Sequence, residues 1–191
     1  MQAGIKLKEH LLETIGLSDE ALDYIIRHFK PFYFEKGAII NHPGDEVMYE
    51  YFVVDGCVKS FFINDEGEAF IIQLAMDRER ISDYASLYFQ EKSRIGINCA
   101  KDTHVLCISH DDREKLCREF HQMEHFFRSQ ADKGYAAGQR RLLSVLNSDG
   151  GQEYRELICR YPDLHQLVSA TLIASYLGVS PVALTRLSNT M

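Results

Sequence analysis

The sequence predicts an α+β chain in three parts: a β-rich N-terminal domain of sandwich or small-barrel type over residues 1–110, one long helix over 111–148, and an all-α C-terminal domain over 149–191. Three observations carry that prediction. Short β-branched and aromatic runs crowd residues 31–109 between turn signals; a helical period with 4-3-4-3 apolar spacing takes over at residue 111; and "LIASYLGVSPVALTRL", residues 172–187, spells two short helices around a tight turn. With 191 residues and 46% hydrophobic content, the chain is long enough to bury a proper core.

Residues 5–29 place Leu7, Leu11, Leu12, Ile15, Leu22, Ile25, Ile26 and Phe29 at helical spacing, and Ser18 followed by Asp19 marks the start of a second helix. From Pro31 the runs PFYFEKG, EYFVVDG, CVKSFFIND, EAFIIQLA, IGINCA and THVLCIS read as strands, punctuated by the turns HPGDE, DG and NDEG. Many short strands at close spacing form a sandwich or small barrel. A single long helix follows, capped by Ser109 or Asp111, with Leu116, Phe120, Met123, Phe127, Gln130, Gly134, Ala137 and Arg141 along one seam.

Such a seam requires a partner helix. Gly134 and Gly138 each cost about 1 kcal/mol against Ala in a helix interior, which either close approach of a second backbone or a hinge would explain. The competing expectation is that this helix simply packs on its own β domain. NSDGGQ then reads as a loop, and EYRELICRYP as a helix ended by Pro162.

Composition excludes several function classes. Five cysteines (Cys57, Cys99, Cys107, Cys117, Cys159) are odd in number and scattered, which argues against a disulfide framework or an iron–sulfur cluster. No window approaches the roughly 18 apolar residues of a membrane span, and charges interrupt the first residues too early for a signal peptide. A cytoplasmic protein without a membrane partner is expected. There is no G-x-S-x-G, Walker loop or H-E-x-x-H, and His42, His104 and His110 lack the H-x-H spacing of a metal-binding cupin. His121 and His125 share a helix face, but nothing completes a metal or haem site, so neither enzymatic activity nor a metal is expected. Residues 1–138 hold 24 Asp+Glu against 16 Lys+Arg, whereas residues 139–191 hold four against five; only the C-terminal part suits a polyanion.

The grammar of the C-terminal stretch is specific. Ala174 supplies the small side chain that crossing helices need, and Gly178, four residues on, can take the left-handed conformation that ends a helix sharply. Val179 plugs the turn, Ser180 caps a second helix, Pro181 sits where its missing N–H costs nothing, and Leu184 with Leu187 faces back. This is a helix-turn-helix pattern, although any tight helical hairpin can show the same residues.

Four stretches together resemble a known family: "FEKGAIINHPGD" from Phe34 to Asp45 with Gly37 and Gly44, "FVVDGCVK" with Gly56, "FFRSQADKGYAAGQRRLLSVL", and "RYPDL" followed by the helix-turn-helix. Over nearly its whole length the chain is similar to the Crp/Fnr superfamily of bacterial transcription regulators. The resemblance implies a cyclic nucleotide-binding-like β-roll (a double-stranded β-helix or jelly roll) with flanking helices, a long dimerisation helix and a C-terminal helix-turn-helix domain. It also implies a homodimer, with double-stranded DNA, RNA polymerase and a small-molecule effector as partners.

Members that bind cyclic AMP hold it with G-E-x-(A/S)-L followed by R-(S/T)-A, the Glu taking the ribose hydroxyl and the Arg the phosphate. The equivalent stretch here is ISDYASLYFQEKSRIGIN, whose pocket residues are Ser82, Asp83, Ser86 and Arg94. Asp83 is shorter than Glu, and Arg94 is off the phosphate position. No cyclic nucleotide or other cofactor is therefore expected, and the effector is another small molecule or none.

In such a regulator the second helix of the motif places its N-terminal residues on base edges. Ser169, Thr171, Ser180, Pro181, Thr185 and Arg186 are the DNA-facing set, with Arg160 and His165 as further phosphate contacts. Arg186 can bond a guanine bidentately, worth about 1–3 kcal/mol of discrimination. So few cations predict a shallow salt dependence. The sequence ends four residues after Leu187, with no trailing basic residues or wing hairpin. The alternative is a ligand-sensing or protein-interaction module of the same fold that has lost sequence-specific DNA binding.

Overall fold

The period-two runs form the strands expected of them. A computed structural model describes residues 2–146 and 150–189. Helices α1 (Gln2–Leu12) and α2 (Asp19–Ile26) precede β1 (Lys30–Phe34), β2 (Ile39–Asn41), β3 (Tyr49–Asp55), β4 (Val58–Ile63), β5 (Ala69–Ala75) and β6 (Arg80–Ile81). Then come α3 (Tyr84–Phe89), β7 (Gly96–Cys99), β8 (Thr103–Ser109), α4 (His110–Glu119) and α5 (His121–Leu146). The C-terminal helices are α6 (Gly150–Arg160), α7 (Leu164–Leu167), α8 (Ala170–Leu177) and α9 (Pro181–Asn189). Two compact units result, Met1–Gln130 and Ala131–Met191, dividing within α5. The expected boundary at 148/149 and the first half of the NSDGGQ loop lie outside the described residues; its second half, Gly150, Gly151 and Gln152, belongs to α6 instead of a loop.

In the first unit the strands pair antiparallel into two sheets, β1-β8-β3-β6 and β2-β7-β4-β5. Val53, Val58, Ala75, Ile81, Ile97, Cys99 and Val105 form one buried apolar cluster. Gly56 turns the chain between β3 and β4 at φ 118°, where a Cβ would fall 2.4 Å from Thr103 Oγ1 and 2.6 Å from the Asp102 carbonyl, so no other residue fits. A second core joins Leu7, Leu11, Leu22 and Ile25 of the two N-terminal helices to Phe52, Leu106 and Ile108 of the sheet. Ser18 caps α2 as expected, its Oγ accepting from the Ala21 amide at 3.3 Å.

The single uninterrupted helix expected from Asp111 is corrected: Phe120 is extended (φ −131°, ψ 107°) and separates α4 from α5. Ser109 is the cap, accepting from the Asp112 amide at 3.1 Å. The break re-aims the chain so that Met123, Phe126 and Phe127 all enter the second core beside Leu116. This also corrects the expected seam. Leu116, Met123 and Phe127 are at most 2% exposed, and Phe120 packs against them, so these residues are consumed by the chain's own core. Gly134 and Ala137 differ, because residues 131–140 of α5 are all exposed and a Cβ at Gly134 or Gly138 would meet open space.

A charged cluster is buried in the same region. The Glu50 carboxylate, 2% exposed, lies 2.6 Å from Arg80 Nη1 and 3.6 Å from Arg113 Nη1. Both guanidiniums stand over the Phe127 ring, at 5.5 and 4.8 Å from its centroid, and Tyr88 stacks on Arg113. Burial, and secondly the Glu50 charge, push the Tyr84 phenol well above its ordinary value. The cysteines are free: Cys57, Cys99 and Cys107 are buried, and burial raises all three thiols, Cys57 to about 12.

Candidate nucleic-acid interface

The C-terminal unit is built around α8 and α9, which meet at 98°. Ser169 starts α8, its Oγ accepting from the Leu172 amide at 3.2 Å. Gly178 ends it in the left-handed conformation (φ 70°, ψ 27°), and the Val179 amide donates to the Ala174 carbonyl at 3.0 Å. Ser180 caps α9, accepting from the Ala183 amide at 3.1 Å, with Pro181 as the first helical residue. Ile173, Ala174, Leu177 and Leu184 close the corner from inside.

Gly150, which the sequence reading placed in a loop, packs here as well. A Cβ on it would fall 2.6 Å from Val179 Cγ1, so a larger residue at the start of α6 would have to displace that side chain. The short α7 has four residues, too few to display a helical period that would set it apart from α8.

The DNA-facing set divides by what each side chain does. Ser169 and Ser180 cap their helices, each satisfying one first-turn amide, while the helix starts keep further amides without an intrahelical acceptor. Thr185 Oγ1 donates to the Pro181 carbonyl at 3.0 Å, leaving its oxygen lone pairs and methyl group outward. Thr171, Pro181, Val182 and Arg186 are exposed. His165 meets the Tyr154 hydroxyl at 2.8 Å, while Arg160 is exposed at the end of α6. Arg186 is the one cation that α9 presents, as the sequence indicated.

In the β-roll, three of the four expected pocket residues come together. Ser82 donates to the Tyr49 carbonyl at 2.9 Å. Asp83 caps α3: Oδ1 accepts from the Ser86 amide at 3.2 Å, and Oδ2 from the Ser86 hydroxyl at 3.0 Å and the Ser93 hydroxyl at 2.8 Å. Burial raises the Asp83 pKa, but bonds from Ser93, Ser86 and the Arg94 amide outweigh it and hold the carboxyl below the usual range. Arg94 supplies that amide while its side chain is exposed. The sequence reading missed Ser93 and Asn41, whose Nδ2 lies 2.9 Å from Ser93 Oγ. They are 52 residues apart, so no local pattern joins them.

Among the described residues no group of three or more His, Cys, Asp or Glu is placed to hold a metal, and no single helix is long and apolar enough to cross a membrane.

The double-sheet roll, the long α5 and the α8–α9 corner follow one another as in solved structures of Crp/Fnr type, which is a likeness of fold. Residues 31–120 match the family model of the cyclic nucleotide-binding domain. Solved structures agree over most of the chain. The catabolite activator protein of Thermus thermophilus is 20% identical, with a TM-score of 0.59 over 95% of this chain and 85% of that one. FixK2 of Bradyrhizobium japonicum is 17% identical, with a TM-score of 0.69 over 85% and 83%. A CooA mutant of Carboxydothermus hydrogenoformans is 18% identical, with a TM-score of 0.64 over 93% and 86%. No curated protein sequence matches the chain.

Proposed function

We propose that this protein is a homodimeric, DNA-binding transcriptional regulator of the Crp/Fnr type that works without cyclic AMP. The observation that carries the reading is the α8–α9 corner, capped at both helix starts, closed by a left-handed glycine, and presenting Val182, Thr185 and Arg186 outward. Exposed helix N-termini offer amides to phosphates, and Arg186 offers a fork to guanine.

Dimerisation is supported by residues 131–140, a stretch of helix with every side chain exposed and two glycines inside it. Helix so isolated is marginal in water and gains from a partner. Absence of cyclic AMP recognition is supported at Asp83, whose carboxylate is engaged by the protein's own hydroxyls, and at Arg94, whose side chain points to solvent. The effector is a different small molecule or none.

The test is selection and sequencing of genomic fragments on the purified dimer at two salt concentrations. A palindromic site with a guanine in each half is expected, and Arg186→Ala should lose the guanine preference, about 1–3 kcal/mol per half-site, while remaining dimeric. Recovery of no site at low salt would favour the alternative, a sensing or protein-interaction module on this fold. That alternative draws its support from the single cation on α9.

A further inference from the structure

The sequence placed Arg141 on the dimer seam, but its side chain turns toward its own helix-turn-helix. The guanidinium carbon sits 4.5 Å from the Tyr176 ring centroid, and Nη2 donates to the Tyr176 main-chain carbonyl. That carbonyl is in the last turn of α8, where acceptors lack intrahelical donors and the helix dipole is negative. Helix α8, ATLIASYL, has no charged residue, so the cation at its C-terminal end comes from α5. Tyr176 also ties outward: its hydroxyl donates to Glu153 Oε1 of α6 at 3.4 Å. Beside it, Gly150 packs against Val179 of the turn.

From this we infer that Arg141 is a positioning residue for DNA reading. It joins the end of α5 to the helix-turn-helix and so sets the separation of the two reading helices in the dimer. The inference rests on the proposed DNA-binding homodimer. Operator half-sites lie about one helical turn of DNA, 34–36 Å, apart, so a stiff joint selects one spacing and a loosened joint accepts several. A planar fork lies over the ring and donates to the carbonyl in one fixed geometry, whereas a Lys ammonium is a point charge on a flexible stem that does not fix it.

The experiment compares the full chain with Arg141→Ala, Arg141→Lys and Arg186→Ala. Two readouts are used: half-site spacing in sequences selected from random duplex DNA, and hydrogen exchange of the α8 amides. Arg141→Ala and Arg141→Lys should keep the wild-type half-site sequence but spread the spacing over neighbouring values. The last turn of α8 should exchange about tenfold faster in Arg141→Ala, as expected for loss of a charged hydrogen bond. Arg186→Ala should instead lose the half-site sequence with wild-type exchange. One unaltered spacing in both Arg141 variants overturns the positioning role, including where affinity falls uniformly as a merely structural role would make it. If the wild type selects no site, the DNA-binding reading fails; exchange then decides the joint by itself, and unchanged protection of α8 in Arg141→Ala overturns it.

Discussion

Glu50 is a carboxylate taken out of water between two guanidiniums, and its worth depends on both partners remaining. Removing one member of a buried ionic cluster leaves an uncompensated charge and costs about 3–5 kcal/mol, whereas replacing the whole cluster with apolar groups of similar volume is about neutral or stabilising. Glu50→Gln should therefore lower the urea midpoint strongly, and a variant with Glu50, Arg80 and Arg113 all made apolar should recover most of it. A triple variant as unstable as the single one would refute this account.

Asp83 gives the residue-scale pH dependence. Its folded pKa lies below the ordinary 3.8, so its contribution is present above that value and lost as pH falls through the folded pKa. Urea unfolding between pH 6 and pH 3 should show a loss that Asp83→Asn removes. Neither cluster was legible in the sequence. Glu50, Arg80 and Arg113 are far apart along the chain, and Asp83 was singled out for a ligand although it caps a helix.

At the scale of elements, legibility followed length and chemistry. The α8–α9 corner was readable because Ala174, Gly178, Ser180 and Pro181 each satisfy a local backbone demand. Strands β2 and β6, of three and two residues, are too short for a period-two pattern, and the Phe120 break has no proline or glycine to announce it. The break goes with a tertiary gain, since Met123, Phe126 and Phe127 just beyond it are all buried in the core. Beyond them α5 changes character, with residues 131–140 exposed throughout. Helix formation there is concentration-dependent if a second copy supplies the burial. Circular dichroism on serial dilution should show helix content falling together with the dimer population in sedimentation. Helix content that stays constant while the dimer dissociates would mean that this stretch stands alone.

For the whole molecule, charge is distributed so that only the C-terminal end tolerates a polyanion. The first 138 residues carry eight more acidic than basic side chains, and α9 offers a single arginine. Non-specific DNA affinity comes from phosphate neutralisation, with log K falling against log salt at about 0.9 per phosphate contacted. For the proposed DNA-binding dimer, one or two cationic phosphate contacts per protomer, Arg160 foremost, predict a slope between about −2 and −4 by that rule. Arg186 is assigned to a base edge, so Arg186→Ala should relax the preference for guanine and leave the slope unchanged, while Arg160→Gln should make it shallower by about 2 across all sequences. Fluorescence anisotropy on specific and scrambled duplexes from 50 to 200 mM salt would measure both. If Arg186→Ala flattens the slope and spares the sequence preference, the arginine sits on the backbone, and base reading must come from Thr185, Val182 and the shape of the DNA.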